Sequence, residues 1–189
     1  DDKLSGNIML SLSSNIGNVD AVQGDGSGNI TLHTDTAVYI AVLKGGMGFL
    51  GGRRFANSGV MHMRYTLKRS IVWQPEFFAQ ADYAKSRKLD RRYLTGGGMR
   101  WVLSDQDALH AAVGSSLMWE HEGLDVKIGD SHPSQTSQFR SSNYFNVKIN
   151  GRATFSTTVY YQFAVSSWKD TRLLGSGELS TPIIGKIKQ

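Results

Sequence analysis

The chain has 189 residues, a formal net charge of +5 and no cysteine. That length suits one domain, the lack of cysteine excludes disulfides and thiolate metal sites, and no run approaches the roughly eighteen consecutive apolar residues of a transmembrane helix. A pI near 9.5 raises nucleic acid as a partner, but the basic residues are scattered, with small clusters only at Arg53-Arg54, Lys68-Arg69 and Lys85 to Arg92. No helical basic stripe or nucleic-acid motif accompanies them, so nucleic acid is not expected as a partner.

The chain starts Asp1-Asp2-Lys3 without a leader, as expected of the mature form of an exported protein. Ile8, Leu10 and Leu12 alternate with Asn7, Met9, Ser11 and Ser13 and predict a first strand. Asn15 to Gly28, rich in Gly, Asn and Asp, reads as a long loop. Ile30 and Leu32 alternate with Asn29, Thr31 and His33 in a second strand, and Asp35-Thr36 turns the chain. In the third, Ala37 to about Gly45, Val38, Ile40 and Val42 face one way and Tyr39, Ala41 and Leu43 the other. Gly45 to Asn57 reads as another long loop.

The clearest pattern follows. Met61, Met63, Tyr65 and Leu67 share one parity, with His62, Arg64 and Thr66 on the other. After Lys68-Arg69-Ser70, Trp73, Pro75, Phe77, Ala79, Ala81 and Tyr83 oppose Gln74, Glu76, Phe78, Gln80 and Asp82. After the charged link Lys85 to Arg91, Tyr93, Thr95, Met99, Trp101 and Leu103 oppose Arg92, Arg100 and several glycines. Period two over such lengths predicts strands with one apolar and one polar face.

Ser104 to Asp107 predicts a tight turn, and Leu109 to about Trp119 a seventh strand. Glu120 to Gln138 reads as the longest irregular stretch. Phe145, Val147 and Ile149 mark the eighth strand, and Asn150-Gly151 is a strong type I′ hairpin signal. The ninth places Phe155, Val159, Tyr161, Phe163 and Val165 on one side and Ser156, Thr158, Tyr160 and Gln162 on the other. A tenth is expected from Arg172 to about Ile187.

Connections read this way run alternately long and short. Apolar segments of about ten residues, bounded by aromatics and joined by alternating short turns and long loops, are the signature of a transmembrane β-barrel. The fold expected is therefore an all-β, antiparallel up-and-down transmembrane barrel of about ten strands, in one domain over residues 1–189, with its N-terminus on the periplasmic side. Alternation halves the average hydrophobicity, so 40 % hydrophobic residues and a mean hydropathy of −0.29 are compatible with it. A soluble antiparallel barrel with the greasy face inward is the alternative.

In the membrane arrangement the interior holds His62, Arg64, Glu76, Gln80, Asp82, Arg92, Arg100, Glu120, Lys148 and Glu178, with Gln74 and His110 beside them. Trp73, Tyr83, Tyr93, Trp101 and Trp119 form a lipid-facing aromatic girdle. Charges of both signs on neighbouring strands suggest cross-strand pairs filling the interior; a narrow pore or a small polar-ligand site is the functional version. Gly96-Gly97-Gly98 lies inside a strand, leaving room for Phe78 or Tyr160 or permitting sharp coiling. It is no phosphate loop, because no helix and no Gly-Lys-Ser/Thr follow.

Among His62, His110, His121 and His132, no catalytic arrangement stands out. His110 has Asp105 and Asp107 nearby but no serine at a defined spacing. His121 lies between Glu120 and Glu122, with Asp125 and His132 further along. Adjacent strand positions point to opposite sides, so a solvated acidic loop explains that cluster better than a metal does. No catalysis, metal or cofactor is expected.

The run from Met63 to Leu103 resembles the family of salt-induced outer-membrane proteins, a family of unknown function. The resemblance is carried by Arg64-Tyr65, Glu76-Phe77-Phe78-Ala79-Gln80, Leu89, Arg92 and Gly96-Gly97-Gly98-Met99-Arg100, and by Arg140 to Tyr144. It implies a Gram-negative outer-membrane β-barrel without established enzymatic activity, contacting outer-membrane lipid. Members of that family continue with further strands, whereas this sequence ends Gly185 to Gln189 without a terminal aromatic; either a complete chain has further strands, up to twelve, or ten strands close the barrel. The function expected is an integral outer-membrane protein, related to salt or osmotic stress or serving as a narrow passive pore. The rivals are a soluble barrel binding a small apolar ligand and a structural barrel subunit of an envelope assembly.

Overall fold

The computed structural model describes residues 2–16, 20–126 and 133–181. Ten antiparallel strands form one sheet in chain order, the all-β up-and-down architecture that the alternation implies. They are β1 (Lys3–Asn15), β2 (Ala21–His33), β3 (Ala37–Leu50), β4 (Arg53–Leu67), β5 (Trp73–Ala84), β6 (Leu89–Gln106), β7 (Leu109–Leu124), β8 (Gln135–Asn150), β9 (Thr154–Ala164) and β10 (Ser167–Ser180), with a 3₁₀ turn at Lys85–Arg87. Among the described residues β1 and β10 are the two edges of the sheet.

The sheet rolls up. Arg64 of β4 donates to the hydroxyl of Tyr160 on β9 at 3.5 Å, and Tyr144 of β8 donates to Glu76 of β5 at 2.6 Å. Strands far apart in the pairing order meet across a concave face. Parity then sorts the side chains in the opposite sense to a water-soluble β domain. The fully buried apolar residues are Ala37, Ala84, Leu89, Ala112, Met118 and Ala164, while Thr66, Glu76, Asp82, Glu120, Arg140 and Ser142 are buried with them. Trp73 (45 % exposed), Phe77 (52 %) and Trp101 (40 %) lie on the convex side. That contradicts the greasy-face-inward arrangement the soluble alternative requires.

Several expected loops are strand. Most of Asn15 to Gly28 and of Gly45 to Asn57 belongs to β2, β3 and β4, and Gly24, Gly26 and Gly28 pair with Met47, Gly45 and Leu43. A ladder is made of backbone groups, so strands continue past the point where apolar side chains stop advertising them. β3 passes into β4 through Gly51 and Gly52 alone, both at positive φ (54° and 73°), the condition of a type I′ turn that glycine meets without strain. The expected alternation of long and short connections therefore fails.

Other boundaries shift for the same reason. β7 runs on to Leu124, so Glu120, His121 and Glu122 stand in a strand and not in a loop. The hairpin after β8 is not a two-residue type I′ turn: Asn150 pairs with Thr154, and Gly151 donates to the carbonyl of Ala153 at 3.0 Å. The tenth strand begins earlier than expected, at Ser167, and residues 182–189 lie outside those described.

Glycines thin the wall where side chains cross it. A Cβ on Gly96 would lie 2.8 Å from the ring of Phe78, as expected; Tyr160, the other candidate, is not among its near neighbours. A Cβ on Gly114 would collide with the ring of Tyr144, which lies over it on the way to Glu76. Gly114→Ala should therefore lower the unfolding free energy by about 2 kcal/mol or more, by forcing Tyr144 off its carboxylate partner. Gly175→Ala, with nothing within 4 Å of the new methyl, should be close to neutral. Urea unfolding of the two variants side by side checks this.

Candidate functional site: a charged interior cavity

The concave face is organised by rows of residues that the register brings side by side. Glu76, Gly98, Ser116 and Ser142 form one row, and Asp82, Arg92 and Glu122 another. Where a row holds glycine, a long side chain of the same row can lie across it, as Tyr144 does over its partner Gly114.

One cluster centres on Glu120, which is 1 % exposed, and Arg140, which is 0 % exposed. Arg172 of β10 donates to Glu120 at 2.7 Å and lies 3.7 Å from Glu122. Arg140 Nη1 is 3.7 Å from Glu120, and its two terminal nitrogens grip both oxygens of Asp170 at 2.7 and 3.1 Å. Gln138 adds a bond to Glu120 at 3.3 Å. Arg92 embraces Asp82 through Nε at 3.1 Å and Nη2 at 2.9 Å, with Glu120 at 4.0 Å. These are fork-shaped, charge-assisted contacts, the geometry in which arginine pairs most strongly.

A second cluster centres on Glu76. It accepts from Thr66 at 3.2 Å and Tyr144 at 2.6 Å, with Arg100 at 4.0 Å. Arg64 sits above, its guanidinium 5.8 Å from the Tyr144 ring centre. His62 Nδ1 and Gln80 Oε1 are 3.1 Å apart, and Gln80 donates onward to Asp82.

Between the clusters lies a cavity of about 640 Å³. Of the residues expected in the interior, His62, Arg64, Glu76, Gln80, Arg92 and Glu120 line it, and Asp82 and Arg100 stand behind its wall as partners of Arg92 and Glu76. Lys148 and Glu178 do not belong there. They fall on the inward parity but at an open end, where both are exposed.

Arg140, Asp170 and Arg172 were not expected at the site. Arg140 and Ser142 continue the inward parity of Tyr144, Asn146 and Lys148 backwards, so the signal was present in the link just before the strand as read. Asp170 gave none, because it lies within a register shift between Ser167 and Thr171. The aromatic set Trp73, Tyr83, Tyr93, Trp101 and Trp119 is exposed on the convex face, Trp73 paired directly with Trp101.

The histidines separate. His110 Nδ1 lies 2.8 Å from Asp105 across the β6–β7 hairpin. His121 stacks on Trp119 outside, ring centres 5.8 Å apart, opposite in direction to Glu120 and Glu122. His132 lies outside the described residues, among which no group of three or more His, Asp or Glu side chains converges as a metal site. Outside the aromatic girdle, where β6 begins, Lys85 and Asp90 pair; their hydrogen bond lowers the carboxyl and raises the ammonium from their ordinary values.

A rolled antiparallel sheet, apolar on its convex face and ionic within, with a polar cavity between its ion-pair clusters, is the class these features define. The chain belongs to the DUF481 family, described as a protein of unknown function, whose match covers residues 51–188. That span runs from the β3–β4 turn through β10 and contains both segments that carry the resemblance noted above. No curated protein and no solved structure matches the chain.

Removing one partner of a buried ion pair leaves the other charge uncompensated, at a cost of about 3–5 kcal/mol. Glu120→Gln should accordingly destabilise the fold by about 3 kcal/mol. The exposed Glu178→Gln should change it by less than about 0.5 kcal/mol. Equal unfolding midpoints for the two would show that Glu120 is no keystone.

Proposed function

We propose that the protein is an integral β-barrel of the Gram-negative outer membrane, without catalytic activity, whose interior forms a narrow, charge-lined passage or binding chamber. The single observation that carries this is the inversion of polarity: buried arginines and carboxylates inside, tryptophans and phenylalanines outside. In water such a surface would be a large aggregation-prone patch; against acyl chains it is the favourable arrangement.

The spacing of the aromatics supports the same reading. Trp73 and Tyr83 end the apolar face of β5. Ten residues of strand span about 33 Å, which projects to about 25 Å along a barrel axis at a tilt of about 40°, matching the usual height of the apolar band. Lipid tolerates only a closed sheet, since unpaired backbone groups are costly there, so the proposed barrel needs partners for its edges β1 and β10. A role in salt or osmotic stress is proposed from the family resemblance alone. The crossing contacts Arg64–Tyr160 and Tyr144–Glu76 obstruct the interior, so slow permeation of small solutes fits better than a wide porin channel.

The four tryptophans test the placement. After reconstitution into vesicles of phospholipids brominated along the acyl chains, tryptophan fluorescence should be strongly quenched relative to unbrominated vesicles. The unboiled protein should also migrate differently from the boiled one on a detergent gel. Unquenched fluorescence from a protein that refolds in plain buffer would reject the membrane reading. In planar bilayers, small or rare conductance steps are expected; large, steadily open channels would contradict the obstructed interior.

A further inference from the structure

Each interior carboxylate is already committed, but not each interior cation. Glu120 is held by Arg172, Arg140 and Gln138, and Glu76 by Thr66, Tyr144 and Arg100. Arg92 and Arg172 have Asp82, Glu120 and Glu122. Arg64 has no carboxylate within 4.0 Å among the described residues; its polar partner is the Tyr160 hydroxyl at 3.5 Å. A guanidinium carries five N–H donors, so most of Arg64's remain available to the cavity it lines.

Lys44 and Arg87 line the same cavity, are exposed, and form no ion pair among the described residues. Lys44 lies in the row of Val60 and Asp82 and Arg87 in the 3₁₀ turn after β5, so both stand toward the β5–β6 end of the chamber. Beside these cations the lining is apolar: Val60 pairs with Lys44 and Phe78 with Arg64, and Val42, Leu94, Met118 and Leu174 complete it.

We propose that this chamber binds a small organic anion, an oxyanion head on an apolar body, with the head on Arg64 and the body against the Val42–Val60–Leu174 wall. Three cations with no carboxylate within 4.0 Å among the described residues, Glu76 acting on Arg64 only from further off, set a positive potential within low-dielectric walls, which concentrates anions. Arg64, pinned between Tyr144 and Tyr160, presents a planar fork suited to two oxygens of a carboxylate or phosphate. A volume of about 640 Å³ lies within the range of small-molecule sites, which pair mostly apolar lining with a few placed polar groups. The inference rests on reading the interior as the functional site, and names the class of solute that it takes.

The test is isothermal titration of the folded full chain in a non-ionic detergent with three probes: benzoate, benzyl alcohol and inorganic phosphate. Saturable binding of benzoate is expected, with clearly weaker binding of either the uncharged or the purely inorganic probe. R64Q should weaken benzoate roughly tenfold or more. The mouth variant K44Q/R87Q, away from the crossing contacts, should weaken it several-fold and flatten its salt dependence, which keeps the test valid if R64Q does not fold. Absence of saturable benzoate binding, equal binding of benzyl alcohol, or unchanged affinity in folded variants would overturn the proposal. Phosphate binding as tightly as benzoate would overturn the organic part of it. The titration reads the interior alone, so its failure is separate from a failure of membrane insertion, which the quenching experiment reports.

Discussion

The structure depends on the enclosure of charge. Glu120 and Arg140, the largest fully buried side chains, sit on adjacent strands and are tied to β10 through Arg172 and Asp170. Ions so far from water are tolerated only with near-complete pairing, because desolvation costs several kcal/mol each. A flat sheet would leave these groups in solvent and gain little from their attraction. Rolling brings β7, β8 and β10 round to a common centre, and the ion pairs then hold the roll. This interior determines which way the sheet curls, and the curl determines which side chains are left outside.

Small residues make that centre reachable. Tyr144 crosses two strands to meet Glu76 because Gly114 offers no side chain in its path. The same hydroxyl-to-carboxylate bond occupies Glu76 and positions the Tyr144 ring beneath Arg64. One glycine thus bears on packing, on the ionic pairing of a buried acid, and on the orientation of the cation proposed to meet a ligand. Side-chain absence acts here as a structural element.

Polarity inside and out also divides the energetic roles. The convex aromatic face buries only part of its area among itself, as where Tyr39 and Tyr65 lie with ring centres 4.9 Å apart; on the proposed reading, acyl chains supply the rest. The concave face gives specificity, since each arginine fork accepts only certain carboxylate geometries. A chain built this way has few buried apolar residues and still specifies one register, because a slip of one residue would turn every charge to the convex side.

The strands around Met61 to Leu103 were legible in the sequence, because period two is written in side chains that alternate strongly there. Their inward charges, from His62 and Arg64 to Arg92 and Arg100, followed from parity alone. The glycine-rich stretches 15–28 and 45–57 were not legible as strands, since what pairs them is backbone and their side chains say nothing. Lys148 and Glu178 share the inward parity yet miss the cavity, because parity gives a direction and not a depth. By itself the sequence determined the class of fold and which face each alternating residue belongs to, both being local consequences of a two-residue repeat. Only the tertiary structure decided that Arg140, Asp170 and Arg172 close around Glu120, and that no carboxylate of the described residues comes within 4.0 Å of Arg64, because those facts depend on how far the sheet rolls and which distant strands it brings within a side chain's reach.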